Sequence, residues 1–256
     1  MIDIHCHILP GIDDGPETID VALQMAQSAI ADGITHVIAT PHANATFVFD
    51  PPRISALREE LQASVGARLE IGTGCDFHFS AENLEALKSD AQRFTLRQRN
   101  YLLVEFNEFA IPPSAVQTLH ELQLAGLQPI ITHPERNAIL RSHPEQLARW
   151  VKLGCTVQVT AGALTGSFGP LAQRHAERWI DQGLVHFVAS DAHNLRGRPL
   201  RCRPAYDAVW ERFGEEVARA LFVENPRAAW DGGPLPYVPE VDDDLTRPRR
   251  KRFLFF

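Results

Sequence analysis

Cysteine is scarce and scattered in this sequence: Cys6, Cys75, Cys155 and Cys202, with no C-x-x-C pair. That spacing is expected of reduced thiols in the cytoplasm rather than of a disulfide framework. A thiolate phosphatase would need an arginine six residues after its cysteine to clamp phosphate. Those positions hold Ile12, Ala81, Ala161 and Ala208, which disfavours that mechanism. No apolar run approaches the ~20 residues that span a bilayer, and no basic stretch followed by an apolar one opens the chain, so no cleaved leader is expected. There is no G-x-G-x-x-G and no G-K-[ST], the fingerprints of nucleotide folds. Excess positive charge is also lacking: a formal net charge of −7 argues against a general nucleic-acid binder.

What is present is an ordinary globular composition, 45% hydrophobic and 22% charged, over 256 residues. Strand and helix patterns alternate throughout. Strands are predicted at 1–4, 34–40, 69–73, 101–106, 129–132, 156–160 and 184–189. Helices are predicted from Pro16 to Gly33 and over 54–65, 114–125, 145–153, 171–182, 205–213 and 215–222. Alternation of this kind favours a parallel sheet, and seven strand–helix units favour a closed barrel over an open sheet.

The strand ends carry the chemistry. His5 and His7 follow the first strand, two apart and so on one side of an extended segment. Cys6, between them, is read as a small side chain facing away. Asp13 and Asp14 lie in a Gly/Pro loop able to bend back. His42 follows the second strand, Asp76 the third, Glu105 the fourth, His133 the fifth, and Asp191 with His193 the seventh. The sixth, ending in Gln158 and Thr160, offers none. The C-terminal strand ends of a parallel barrel meet at one rim, so these residues are expected to converge on metal. Zinc, iron and manganese all accept such a His/Asp/Glu set. Divalent ions there would acidify a water to hydroxide near neutral pH, the reagent of hydrolysis.

The segments H-C-H-I-L-P-G-I-D-D-G-P, T-P-H, V-E-F, T-H-P-E-R and S-D-A-H-N, between Asp3 and about Pro199, resemble the PHP (polymerase and histidinol phosphatase) superfamily. More narrowly they resemble the bacterial manganese-dependent tyrosine-protein phosphatases that accompany capsule and exopolysaccharide tyrosine kinases. The resemblance implies a single-domain distorted (β/α)7 TIM-like barrel, taken over residues 1–230, and the change of composition after Trp230 marks a Pro- and charge-rich tail over 231–256. It implies three divalent ions, Mn2+ foremost and Fe or Zn as alternatives. His5, His7 and Asp191 would hold one; Glu105 and His133 a second, bridged to the first by Asp76; Asp14, His42 and His193 the third. It points to Arg136, Arg198, Asp14 and His42 as catalytic, the arginines gripping phosphoryl oxygens. The implied substrate is a phosphotyrosine protein, a bacterial tyrosine kinase, dephosphorylated in the cytoplasm by a metal-activated hydroxide. Position 76 departs from the family, which has glutamate in a G-x-E run. His78, two residues on, is read either as a compensating ligand or as a surface histidine.

Two other readings remain at this level: a small-molecule phosphatase or phosphodiesterase on the same barrel, and a non-catalytic metal-stabilised binding module. The last twelve residues hold five basic side chains and three phenylalanines. They read as an unpacked tail, as a peripheral contact with an anionic membrane, or as a subunit contact.

Overall fold

A computed structural model describes residues 1–242. The tail's basic-aromatic end, residues 245–256, lies outside the described residues. In chain order the elements are β1 (Ile2–Cys6), α1 (Ile19–Ala31), β2 (His36–Ala39), β3 (His42–Ala43), α2 (Pro51–Val65), β4 (Glu70–Thr73), β5 (Asp76–His78), α3 (Ala81–Ser89) and β6 (Tyr101–Glu105). Then come α4 (Ala115–Leu124), β7 (Gln128–Thr132), α5 (Ala138–Ser142), α6 (Pro144–Lys152), β8 (Thr156–Thr160), α7 (Ala161–Leu164), α8 (Gly169–Asp181) and β9 (Phe187–Ala189). The chain closes with α9 (Arg203–Phe213), α10 (Glu215–Arg219) and α11 (Asn225–Asp231).

Local chemistry sets several boundaries. α1 begins at Ile19 because the Thr18 hydroxyl accepts from Val21 N–H, capping one of the helix's orphan donors. Pro16, expected inside this helix, instead closes the preceding loop, its carbonyl accepting from Gly11 N–H. Asp50 caps α2, with Pro51 and Pro52 in a first turn that needs no N–H from them. The sequence pattern missed α3, which Ser80 caps, because that helix has only one buried residue, Leu87.

Every strand pairing is parallel, in two sheets of order β1-β2-β4 and β3-β5-β6-β7-β8-β9. The expected second and third strands are each interrupted, at Thr40–Pro41 and at Gly74–Cys75. Hydrogen bonds still cross the interruptions, Gly74 N–H to Ala39 O (2.8 Å) and Asp76 N–H to Pro41 O (3.1 Å). The chain just past β9 lies parallel to β1, with Asp191 N–H bonded to His5 O and His7 N–H to Ala192 O, both 2.8 Å.

One irregularity governs which way β1 points. Three residue steps of β1, Asp3 to Cys6, span two of β2, Val37 to Ala39. The extra residue is a bulge, and it shifts the side-chain alternation by one. Ile2 and Ile4 therefore pack inside with Ile38, Leu103, Ile130 and Phe187, while beyond the bulge it is His5 and His7 that meet residues from the other strand ends. Asp3 holds the bulge. Its buried Oδ1 accepts from His5 N–H (3.2 Å) and from Ser190 N–H (3.1 Å).

α11 covers the opposite, N-terminal ends of the strands. Trp230 and Ala229 join the inner core, and Trp230 packs edge-on to His36 at the start of β2. The chain then continues along the body. Asn225, fully buried, donates to His186 O and Tyr237 O and accepts from Tyr237 N–H, and Tyr101 Oη donates to Gly233 O. No helix among the described residues is long and apolar enough to cross a membrane.

His186 gives the fold an acid-sensitive point. Its ring is buried beside Val157 N–H and Leu184 O, and burial lowers its pKa to about 4. Below the unfolded value of about 6.5 the unfolded chain takes up a proton that the native chain refuses until about 4, so this group's stabilisation is lost as pH falls across that window. Asp3 works in the opposite sense: burial raises its carboxyl to about 6, so the native chain gains stability as pH falls towards the unfolded carboxyl value. Moving from pH 7 to pH 5 should cost about 2 kcal/mol through His186. In His186→Gln the loss of urea stability between those pH values should shrink accordingly. Equal losses in the two proteins would show that His186 titrates normally.

Candidate metal centre

The strand-end residues predicted to converge do so. Asp191 Oδ1 lies 3.4 Å from His5 Nε2 and 3.5 Å from His7 Nε2, joining the first expected set. Asp14 Oδ1 lies 3.4 Å from His42 Nε2 and 3.3 Å from His193 Nε2, joining the third. Glu105 and His133 approach to 3.7 Å. Between these sets stands Asp76, its Oδ2 at 3.6 Å from His5 Nε2 and 3.1 Å from His42 Nδ1. The shorter side chain at position 76 thus reaches His5 of the first set and His42 of the third, and it groups with Glu105 of the second. His78 lies beside it on β5, its Nδ1 3.5 Å from Glu105 Oε2. It is a neighbour of the cluster rather than a remote surface histidine.

The histidines are oriented from behind. His5 Nδ1 is 2.9 Å from Gln158 Oε1, His7 Nδ1 2.6 Å from Asp13 Oδ2, and His193 Nδ1 3.0 Å from Asp191 O. Nε2 of each ring faces the cluster, and in the neutral ring with Nδ1 donating it carries the lone pair that a metal ion would take. Asp13 also accepts from Gly15 and His42 N–H. The adjacent aspartates therefore divide the work: Asp13 is buried behind His7, and Asp14 faces the cluster. Gln158 gives the sixth strand end its part, which reading for ligands alone could not reveal. Glu135, inside the T-H-P-E-R segment, is wholly buried and bonded to Thr160 N–H and Oγ1, so it secures the β7 and β8 ends.

Charge at the centre is tightly compensated. Burial works against an imidazolium at His5, but Asp191 and Asp76 lift its pKa to about 9. His42 is likewise disfavoured by burial, yet Asp14, Asp76 and Glu105 raise it to about 11. Burial and the Arg136 guanidinium push His133 well down. Burial opposes ionisation of Asp191 as well, but His5, the His7 hydrogen bond and Arg136 hold it well below the usual carboxylate range. Arg136 and Arg198 both donate to Asp191 Oδ2. His133 and Asp191 have φ of 33° and 50°, two of four non-glycine residues with positive φ among those described. Strain of this kind persists where surrounding contacts enforce it.

These residues fit divalent metal. The buried Nε2 atoms of His5, His7 and His193, Nδ1 of His42 and both carboxylate oxygens of Asp76 have no hydrogen-bond partner. Orphaned buried polar atoms are costly, and here they face one another. Two ligands each about 2.1 Å from one ion at a tetrahedral angle stand roughly 3.4 Å apart, the spacing seen across the cluster. Four overlapping groups meet this test: His7, Asp14, His42 and His193; His5, His7 and Asp76; His5, His133 and Asp191; and His42, Asp76 and Glu105.

If Asp13 and Gln158 orient the imidazoles, Asp13→Ala and Gln158→Ala should each weaken divalent-ion binding by about 10- to 100-fold, measured by competition with a chelator. Unchanged affinity in both would mean that the rings hold their tautomers without them. Asp76→Ala should lose bound metal, measured by metal analysis of the purified protein, while Asp76→Glu retains it. A fully metallated Asp76→Ala would strike Asp76 from the centre.

Comparison with known proteins places this geometry. Tyrosine-protein phosphatase YwqE of Bacillus subtilis (strain 168) is 35% identical over 225 residues, covering 86% of this chain and 88% of the relative. Tyrosine-protein phosphatase CpsB of Streptococcus agalactiae serotype V is 29% identical over 238 residues, covering 89% and 97%. A crystal structure from work on YwqE of B. subtilis and CpsB of Streptococcus pneumoniae, described as unique metal-dependent tyrosine phosphatases, superposes with a TM-score of 0.87 at 33% identity, over 94% of this chain and 99% of that one. The sequence profile described as "Capsular polysaccharide synthesis, CpsB/CapC" matches residues 1–230. That match takes in every strand end of the cluster and both arginines, and the chain belongs to the CpsB/CapC family of capsular polysaccharide synthesis.

Proposed function

We propose that this protein is a metal-dependent tyrosine-protein phosphatase acting on a bacterial tyrosine kinase of polysaccharide synthesis, in the cytoplasm. The observation that carries this reading is the set of orphaned imidazole and carboxylate atoms beside two arginines. Family membership and the relatives named above support it.

In this reading three ions, manganese foremost, would be held by His5, His7 and Asp191, by Glu105 and His133, and by Asp14, His42 and His193, with Asp76 available to the first two. Bound divalent ions supply Lewis acidity and lower the pKa of water towards neutrality. The protein's own groups do the rest. Arg136 and Arg198 present planar forked donors suited to phosphoryl oxygens. Their bonds to Asp191 leave further donors, and Arg198 Nε is buried without a partner. Asp14 and His42 lie at the more exposed side of the cluster, where they can manage a proton at the leaving oxygen. A phenolate, with a pKa of about 10, needs less help to leave than an alkoxide.

The architecture is proposed as a distorted (β/α)7 barrel. Counting β2–β3 and β4–β5 as single interrupted strands gives seven, and the β1–β9 contacts support closure. The catalytic domain is taken as residues 1–230, with 231–256 appended.

The test is hydrolysis of a phosphotyrosine peptide, histidinol phosphate and a phosphodiester by metal-stripped protein, with Mn2+, Fe2+ or Zn2+ restored singly. The peptide should be the preferred substrate and chelation should abolish turnover. Thiol alkylation should not, because all four thiols are buried and burial raises their pKa values, Cys155 to about 12 and the other three well above the ordinary thiol range. Loss of activity on alkylation with none on chelation would overturn the mechanism.

A further inference from the structure

β8, the strand whose end brings none of the candidate ligands, leads into α7 and then a short turn, 165–168, before α8. The turn is built for one side chain. Gly166 and Gly169 adopt φ of 82° and 83°, conformations costly for other residues. Gly162 clears space, since a Cβ there would lie 2.8 Å from Phe168 Cε2. The Phe168 ring is thereby laid beside both arginines, 4.7 Å from Arg136 Cζ and 5.9 Å from Arg198 Cζ. It also walls a cavity of about 280 Å3 shared with Ala161, Gly162, Ser190, Arg198 and Pro199. Ser190 and Arg198 link that cavity to the metal-centre residues.

We propose that Phe168 and this cavity form an aryl subsite, in which the phenyl ring of phosphotyrosine packs against Phe168 while its phosphate lies at Arg136 and Arg198. This rests on the phosphotyrosine reading above and deepens it. Much of the wall is aromatic, prolyl or methyl, and an apolar cavity of about 150 Å3 already accommodates benzene. Two aromatic rings pair favourably with centroids about 4.5–7 Å apart. A ring standing beside the arginines is placed to sense what the phosphate is attached to. Ring stacking on the guanidinium groups alone would position the arginines without discriminating substrates, and the two roles are separable.

The experiment measures binding of benzylphosphonate and methylphosphonate to metal-loaded wild-type protein, Phe168→Leu and Phe168→Ala by calorimetry. It is paired with turnover of a phosphotyrosine peptide and metal content. Wild type should prefer benzylphosphonate. Phe168→Leu, which retains bulk, should lose roughly tenfold in benzylphosphonate affinity with methylphosphonate affinity unchanged. Phe168→Ala should do the same or more, and Phe168→Tyr should restore the preference. An equal loss for both phosphonates would reduce Phe168 to a positioning residue and overturn the subsite, as would no loss for either. Failure of wild type to hydrolyse the peptide would instead fall on the proposed function, whereas hydrolysis without any preference for the aryl phosphonate would fall on the subsite alone.

Discussion

Mutual compensation among buried ionisable groups is the constraint on which the rest of this structure depends. His5, His7, Asp76 and Asp191 are almost wholly removed from solvent. Unpaired charges so placed would be prohibitively costly, so each must face a partner or an ion. Asp191 shows the degree of crowding: one oxygen faces two imidazoles and the other receives two guanidinium groups. Its left-handed backbone is the local cost of putting that carboxylate where strand ends meet. The orienting contacts of Asp13 and Gln158 serve the same end, since a ring held by one nitrogen offers the other at a fixed angle.

The scaffold isolates this cluster by closing off the other end. α11 brings Trp230 and Ala229 against the inner core, and Arg97 stacks over Trp230 at 4.2 Å. A parallel arrangement then leaves the C-terminal strand ends as the accessible rim, where loops can vary without disturbing the packed interior. The division is visible along β1, where Ile2 and Ile4 belong to the apolar floor and His5 and His7 to the polar rim.

The convergence of the candidate ligands was legible in the sequence because parallel strands put their ends together whatever the intervening loops do. Residues as far apart as His5 and His193 could be grouped by that rule alone. The supporting residues were not legible. Gln158 and Glu135 are unremarkable polar residues until the fold brings them to His5 and Thr160. Asp13 and Asp14 are adjacent and chemically alike, and only the path of the loop separates their tasks. The interruptions after β2 and β4 also escaped, because Pro41 and Gly74 read as ends of strands rather than as breaks within them. α3 and α11 were missed for a different reason: a short or weakly apolar helix gives too little periodicity to stand out.

The bulge in β1 sets backbone regularity against the site. Were the same residues to pair with β2 without a break, the strand would be locally more ideal, but the alternation would run on from Ile4, and Cys6, rather than His5 and His7, would face the other strand ends. The smoother strand would scatter the candidate metal ligands. The irregularity and the Asp3 side chain that secures it mark where function has outweighed architecture.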